Sequence, residues 1–375
     1  MNQAAPTRIL ILGASGLFGA LLARGLAAEP GFDILLAARR IKPLQRLAAA
    51  ISVHPESTLD VLQLDVADAA LVTKLHQHRV QMLIHCAGPF QEQDYSVARA
   101  CLAAGVHYVD LADARAFVAG ISDLDADAKN AGCVVLSGAS TVPALSGAVV
   151  GALAADLREV REIDVAIAPG NRTERGLATI AAILSYTGKP MPCWRDGRMA
   201  TTRGWFGLHR RAFATPLGKR WQSDVDLPDL AFLPSQFPTL QTLRLTAGLE
   251  LSLLHVGLWL LAGLARWRLL PLARMASLLK WCSDWLIPLG SDCGGMQVCM
   301  SGIDQQGNAC LRQFDLVAEH GLGPNVPTLA ARILAKQLRD GRMPEPGARA
   351  ADRVLAYAEF EAEARAIGIR FQNRS

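Results

Sequence analysis

Arg8 to Gly19 reads R-I-L-I-L-G-A-S-G-L-F-G, an apolar strand that enters a glycine turn and leaves it as a helix. Each glycine has its own reason. Gly13 permits the tight turn, Gly16 lets backbone approach a pyrophosphate, and Gly19 lets the helix lie close on the sheet. The helix N-terminus then offers N–H groups and the positive end of its dipole to phosphates. The spacing is G-x-x-G-x-x-G, with Ser15 near where the commonest fingerprint has its second glycine. Glycine-rich turns are frequent, so the pattern gains its force from lying between an N-terminal strand and a helix. Gly13, Ser15, Gly16, Leu17, Phe18 and Gly19 are expected to bind a dinucleotide.

The next strand refines that expectation. Asp33 to Ala37 is apolar after its first residue and ends in Ala38-Arg39-Arg40, and Asp and Glu are absent from Ile34 to Val53. A site for NAD usually places a carboxylate here to take the ribose 2′-hydroxyl. Two guanidinium groups suit a 2′-phosphate instead, by charge and by bidentate geometry. NADP is therefore expected ahead of NAD, with Arg39 and Arg40 as its readers. The plain alternative is that both arginines only solvate a loop.

Strands and helices go on alternating. Helices are expected at Lys42 to Ile51, Asp68 to His78, Tyr95 to Ala104 and Asp123 to Asn130. Strands are expected at Leu59 to Leu64, Met82 to His85, His107 to Val109 and Cys133 to Leu136. This predicts an α/β fold whose residues 1–150 form a Rossmann-type, doubly wound parallel sheet covered on both faces. Ligands of such sheets bind beyond the carboxyl ends of the strands. Asp65 and Val66 fall there to meet an adenine, and Cys86, Ala87, Gly88 and Pro89 to approach the nicotinamide ribose. Asp110 and Asp113 follow the fifth strand, and Ser137-Gly138-Ala139-Ser140 the sixth. Turn chemistry alone enriches loops in these residue types; four such loops on one sheet edge make the argument.

A chain of 375 residues suggests two domains, and 51% hydrophobic with 19% charged residues describes a globular protein with ample core. A formal net charge of +4 without basic runs gives no sign of nucleic-acid binding. The eight cysteines are scattered without a C-x-x-C pair, so no metal site is expected. No apolar signal segment opens the chain, and a cytoplasmic location is expected.

C-A-G-P-F (Cys86–Phe90), G-V-H-Y-V-D (Gly105–Asp110) and G-L-G-P-N-V-P (Gly321–Pro327), with the glycine turn, resemble the saccharopine dehydrogenase-like oxidoreductases. The resemblance covers the first 150 residues well, Met296 to Gly341 moderately, and the middle poorly. It implies a nucleotide domain, an inserted mixed α/β substrate domain and a C-terminal return to the first domain. The expected divisions are 1–150, 151–322 with an insertion at 249–290, and 323–375. Relatives often carry Gly-Glu after Y-V-D, where this chain has Ala112-Asp113, so recognition of an amino-acid-like substrate is not implied. The glycine motif is shared with short-chain dehydrogenases, but a Tyr-x-x-x-Lys pair is absent. Tyr95 and Arg99 have the nearest spacing, and a guanidinium does not deprotonate usefully.

Beyond Val160 the pattern changes. Arg161 to Ala168 alternates like a strand, Glu174 to Tyr186 reads as a helix, and Trp194–Arg198 and Asp304–Asn308 read as hairpin turns. Helices are expected at Thr328 to Leu338 and Asp352 to Ala366. Leu251 to Ala265 lacks Asp, Glu, Lys and Arg, yet is shorter than a spanning helix. It is followed by Trp267, Trp281 and Trp285 among Arg266, Arg268, Arg274 and Lys280, the composition of an interfacial element. A buried homo-oligomer contact, a wall for an apolar or lipid-like substrate, and peripheral contact with a membrane all fit.

Hydride chemistry belongs to the cofactor, and the protein must orient the substrate and manage a proton. Asp110, Asp113 and His320 are the expected catalytic residues, His320 because it immediately precedes the G-L-G-P-N turn. His209, Tyr186 and Lys189 are further candidates, and Arg172 and Arg175 can hold a carboxylate or phosphate. The function expected is an NADP-dependent oxidoreductase acting on a C=O, C=N or activated C=C of a largely apolar small molecule. The rival is a non-catalytic dinucleotide-binding protein attached to a membrane or a partner through the insertion.

Overall fold

The computed structural model describes residues 6–173, 176–267 and 272–374, so Arg175 and Arg268 lie outside the described residues. The chain divides into two compact units, residues 1–144 with 327–355 and residues 145–326 with 356–375. The first begins β1 (Thr7–Leu12), α1 (Leu17–Ala27), β2 (Phe32–Ala38), α2 (Ile41–Ala49), β3 (Thr58–Gln63) and α3 (Leu71–Gln77). It continues through β4 (Met82–His85), α4 (Ser96–Ala103), β5 (His107–Asp110), α5 (Arg115–Gly120), α6 (Asp125–Asn130) and β6 (Val134–Ser137). The second unit opens with α7 (Ser146–Ala154), β7 (Leu157–Ala168), α8 (Leu177–Tyr186), β8 (Pro190–Arg195) and β9 (Arg198–Arg203). Then come β10 (His209–Ala212), β11 (Lys219–Asp224), α9 (Leu233–Gln236), β12 (Thr242–Ala247), α10 (Ser252–Arg266), α11 (Ala276–Asp284), β13 (Gly294–Asp304) and β14 (Ala309–Ala318). α12 (Leu329–Arg339) and β15 (Gly347–Ala350) rejoin the first unit, whereas α13 (Tyr357–Ala366) and β16 (Arg370–Arg374) belong to the second.

The first sheet has the order β15-β6-β5-β4-β1-β2-β3, with every pairing parallel. β1 from Ile9 onward and β4 as far as Ile84 read as apolar runs because helices cover both faces of a parallel sheet. Ile9, Leu10, Ile11, Leu83 and Ile84 are fully buried. The strand order reverses between β1 and β4, which opens the crevice of a doubly wound sheet at their carboxyl ends. The α/β architecture expected for the N-terminal region is thus present, with a second, mixed sheet beside it in the chain.

That second sheet runs β10-β11-β12-β7-β13-β14-β16, with β8 paired to β12 and β9. Only β12 and β7 in it run parallel. Asp196 and Gly197 both take positive φ in the β8–β9 turn, as does Gly307 in the β13–β14 turn, so both expected hairpins form. The helix expected from Glu174 is described only from Leu177.

The unit boundaries differ from the expected ones at both ends. α7 packs on β7, β13 and β14, so the second unit starts at Leu145 and not after 150. The C-terminal segment 323–375 splits. α12 packs on α1 and β1, with Lys336 Nζ 2.8 Å from Glu29 Oε1, and β15 extends the first sheet beside β6. α13, by contrast, lies on α7, and β16 pairs with β14. Gly-Ala-Arg-Ala and Arg-Phe-Gln-Asn-Arg carry too few apolar positions for alternation to announce either strand.

Candidate functional site

The glycine turn sits at the switch point of the first sheet. Gly13 has φ +85°, and a Cβ there would lie 2.6 Å from the Ala87 nitrogen and 2.8 Å from its Cα. Both the left-handed backbone and the contact with the β4–α4 loop therefore demand glycine. A Cβ on Gly19 would meet the Gly13 carbonyl oxygen at 2.5 Å, which is how closely α1 lies on the turn. Gly16 caps α1 with no side-chain partner, and it and Ser15 are exposed. The first intrahelical bond runs from Ala20 N–H to the Gly16 carbonyl at 2.9 Å. The amides of Leu17, Phe18 and Gly19 thus stand outside the ladder, as the first amides of any helix do, and form an anion cradle.

The facing loop is fastened by a residue that sequence reasoning passed over. Gln93 Nε2 donates to the Ala87 and Pro89 carbonyl oxygens, each at 2.8 Å, and the Cys86 N–H donates to Leu12 O at 2.7 Å. Ala87 and the exposed Gly88 and Pro89 are held as a backbone wall beside Gly13. Phe90 is buried and meets the His85 ring edge-on at 5.0 Å.

Behind this wall lies a buried polar cluster. Asp110 is wholly inaccessible, and its Oδ1 accepts the Gly138 N–H at 2.8 Å, the Ala112 N–H at 2.9 Å and the Ser137 hydroxyl at 3.0 Å. Asp110 was expected at the open edge with access to substrate. It lies beneath the edge because its carboxylate satisfies donors that two loop starts would otherwise bury unpaired. Burial pushes that carboxyl up to about 6, against the opposing pull of the Gly138 and Ala112 amides and the Ser137 hydroxyl. Gly138 likewise has its N–H committed to Asp110 and is buried, with φ +77° against Pro143, so that amide is not offered to a ligand. His85, opposite Asp110 in the β4–β5 register, bonds the Tyr108 hydroxyl through Nδ1 at 3.1 Å. Its Nε2 is buried without a partner, and burial lowers its imidazole to about 4. Nothing in the sequence marked His85, which closes an apolar strand like an ordinary core residue.

The remaining candidates scatter. Asp113 is exposed, with Gln91 Nε2 3.5 Å from its Oδ1. Arg39 and Arg40 are exposed at the end of β2, and neither guanidinium has a carboxylate partner among the described residues. Asp65 is half-buried and accepts the Ala67 N–H at 3.1 Å, while Val66 packs on the core. His320 is exposed with φ +55° in the second unit, whereas Asp110 and Asp113 belong to the first. Arg172 is exposed and donates to the Pro288 carbonyl at 3.1 Å, so it fastens the loop after α11. His209 joins Arg195, Thr202, Asp224 and Arg244 in lining a cavity of about 550 Å³ in the second unit. Thr202 donates to Asp224 Oδ2 there at 2.8 Å. These residues come from separate strands, and no spacing in the sequence connects them.

Residues 9–136 match the model of the family described as "Saccharopine dehydrogenase NADP binding domain". Carboxyaminopropylagmatine dehydrogenase of Synechocystis sp. (strain ATCC 27184 / PCC 6803 / Kazusa) is 36% identical over 107 residues, 28% of this chain and 26% of that protein. The match to this curated relative therefore spans about a quarter of its length. Among solved structures, the saccharopine dehydrogenase (L-Glu forming) of Saccharomyces cerevisiae aligns with TM-score 0.70 at 14% identity, covering 98% of this chain and all of its own. The homospermidine synthase of Legionella pneumophila, in complex with NAD, aligns with TM-score 0.61 at 12% identity, covering 98% and 91%. The glycine cradle fits a dinucleotide on its own geometry, and residues 9–136 carry the matching sequence. Residues 9–136 thus carry the sequence of a saccharopine dehydrogenase NADP-binding domain, and the chain as a whole is similar in fold to the saccharopine dehydrogenase of Saccharomyces cerevisiae.

Proposed function

We propose that this chain is an NADP-dependent oxidoreductase acting on a C=O, C=N or activated C=C bond of a largely apolar small molecule. One observation carries most weight. At the end of β2, beside the glycine cradle, stand two exposed guanidinium groups without a carboxylate partner among the described residues. Such a pair satisfies a 2′-phosphate and leaves the 2′-hydroxyl of NAD without its usual acceptor.

In this reading the amides of Leu17, Phe18 and Gly19 hold the pyrophosphate, with Ser15 at the mouth of the turn. Asp65 and Val66 flank the adenine, and Cys86 with the Ala87–Pro89 backbone borders the nicotinamide ribose. The nicotinamide supplies or takes the hydride. Asp110 is a positioning residue that fixes the β5 and β6 loops through Oδ1. Asp113, exposed at the same sheet edge, is the proposed proton carrier, and His320 is the second candidate for that role.

The decisive experiment is a parallel titration with NADPH and NADH, followed by nicotinamide emission. NADPH is expected to bind at least about tenfold more tightly, and Arg39→Asp to abolish or reverse that preference. An unchanged preference in the variant would falsify the assignment of Arg39. Consumption of NADPH with pooled carbonyls and imines then tests turnover, which Asp113→Asn is expected to lower by about two orders of magnitude.

A further inference from the structure

Eight of the twelve large hydrophobic side chains exposed among the described residues fall between Leu253 and Leu289: Leu253, Leu260, Leu264, Trp267, Leu278, Trp281, Trp285 and Leu289. Their spacing is helical. Leu253, Leu260, Leu264 and Trp267 form one stripe down α10 and its end, about 21 Å long at the helical rise. Leu278, Trp281, Trp285 and Leu289 form another along α11 and the turn after it. The inner positions are accounted for. Leu258, Leu261 and Ala265 of α10, with Ala276 and Leu279 of α11, pack against Ile180, Ala181 and Leu184 of α8. His255 ties α10 to β11 through Ser223 Oγ at 3.0 Å. Both outer stripes therefore turn away from α8. A Cβ added at Gly257 or Gly263 would meet nothing within 4 Å, so no described residue overlies that side of α10.

From this placement we infer that the outer faces of α10 and α11 dock on the surface of an anionic lipid bilayer, lying in its headgroup layer. Charge separates this occupant from the others. Residues 251–290 hold four basic residues, Arg266, Arg268, Arg274 and Lys280, against one acidic residue, Asp284, which pairs with Lys280 at 2.7 Å. The exposed Arg266 and Arg274 thus remain as cations among apolar side chains, and Arg266 stacks 5.4 Å over Trp267. Anionic headgroups complement that pattern. A second copy would set the same cationic patch against itself across a two-fold axis. A small ligand needs a concavity, whereas the stripes are outer helix faces. Three indoles with apolar bodies and polar N–H tips suit the headgroup boundary. No helix among the described residues is long and apolar enough to cross a membrane, so the contact is peripheral. The inference does not rest on the proposed oxidoreductase activity.

The test uses the full chain and vesicles of phosphatidylcholine, with and without phosphatidylglycerol. Cosedimentation with the anionic vesicles, weakened by salt and accompanied by a blue shift of tryptophan emission, is the expected result. The double variant Trp281→Ser, Trp285→Ser should lower partitioning by about tenfold or more. Leu311→Ser, an exposed apolar residue elsewhere, should leave it unchanged, and thermal melts of all three proteins verify folding. The inference is overturned if anionic vesicles do not retain the protein, or if the double variant partitions like the parent. A lipid-free dimer that the double variant dissociates would also overturn it, by giving the face to a second copy.

Discussion

The glycine edge of the first unit and the outer surface of α10 and α11 are built on opposite principles. The first is a surface of backbone, in which side chains are missing where they would collide: a Cβ at Gly13 would sit 2.6 Å from a nitrogen of Ala87. The second is a surface of side chains on a permissive backbone, where a Cβ at Gly257 or Gly263 meets open space. A site made of backbone is broken by adding an atom. One made of side chains is broken by taking atoms away, and it changes affinity without disturbing the fold.

The largest effect should come from Gly13→Ala. It imposes a left-handed alanine and a collision with backbone that no rotamer relieves, for a cost of about 3 kcal/mol or more. Loss of soluble protein or a melt lowered by many degrees is expected; a parent-like melt breaks the contrast. Gly16→Ala sharpens it. Gly16 has φ −81°, and its added Cβ would meet only the Gly13 carbonyl oxygen at 3.3 Å. That variant should keep its melting temperature within a few degrees yet bind dinucleotide about tenfold or more weakly, since the new methyl occupies the phosphate approach.

Acid should separate the units next. Burial lowers His255 to about 4 from an ordinary 6.5, with His209 adding a smaller push. Its Nδ1 accepts the Leu249 N–H at 3.1 Å, so the ring proton sits on Nε2 and is donated to Ser223. A depressed histidine contributes stability that is complete above pH 6.5 and is lost as pH falls toward 4, up to about 3 kcal/mol. His85 in the first unit has the same sign, also falling to about 4. Its neighbour Asp110 has the opposite one: raised to about 6, it contributes stability below its ordinary 3.8 that is lost as pH rises through 6. Between about pH 4 and 6 those two slopes offset each other. The second unit should therefore loosen first in acid. All seven tryptophans lie in it, from Trp194 to Trp285, so intrinsic emission reads that unit alone. His255→Gln should flatten the emission-monitored stability between pH 6.5 and 4, and an equally steep profile in the variant would remove His255 as the cause.

These contrasts also explain what the sequence made legible. The parallel sheet and its glycine turn were readable because each constraint there is local: an apolar run, a turn that excludes Cβ, a helix start. β15 and β16 were not, since four and five residues without alternation carry no period. The role of Asp110 was hidden for a different reason. Its position at a strand end was correct, but whether a carboxylate faces solvent or caps loop amides depends on Ser137 and Gly138, far along the chain. The cavity holding His209 and Asp224 draws on separate strands with a register that no single stretch encodes. The apolar insertion showed its composition and length in the sequence. Which of its residues face outward became definite only once α8 had claimed the inner positions.

The smallest predicted effect has the reverse sign. Gly257 lies inside α10 in ordinary helical backbone, and its added Cβ would meet nothing. Alanine restricts the unfolded chain more than glycine does and favours the helix, so Gly257→Ala should stabilise the second unit by about 0.5–1 kcal/mol. Thermal melting followed by tryptophan emission detects a rise of that size. The same residue exchange that ruins the first unit at position 13 would then improve the second at position 257. A destabilising result would mean that some group covers the outer side of α10 in the lipid-free protein, and the bilayer would then have to displace it.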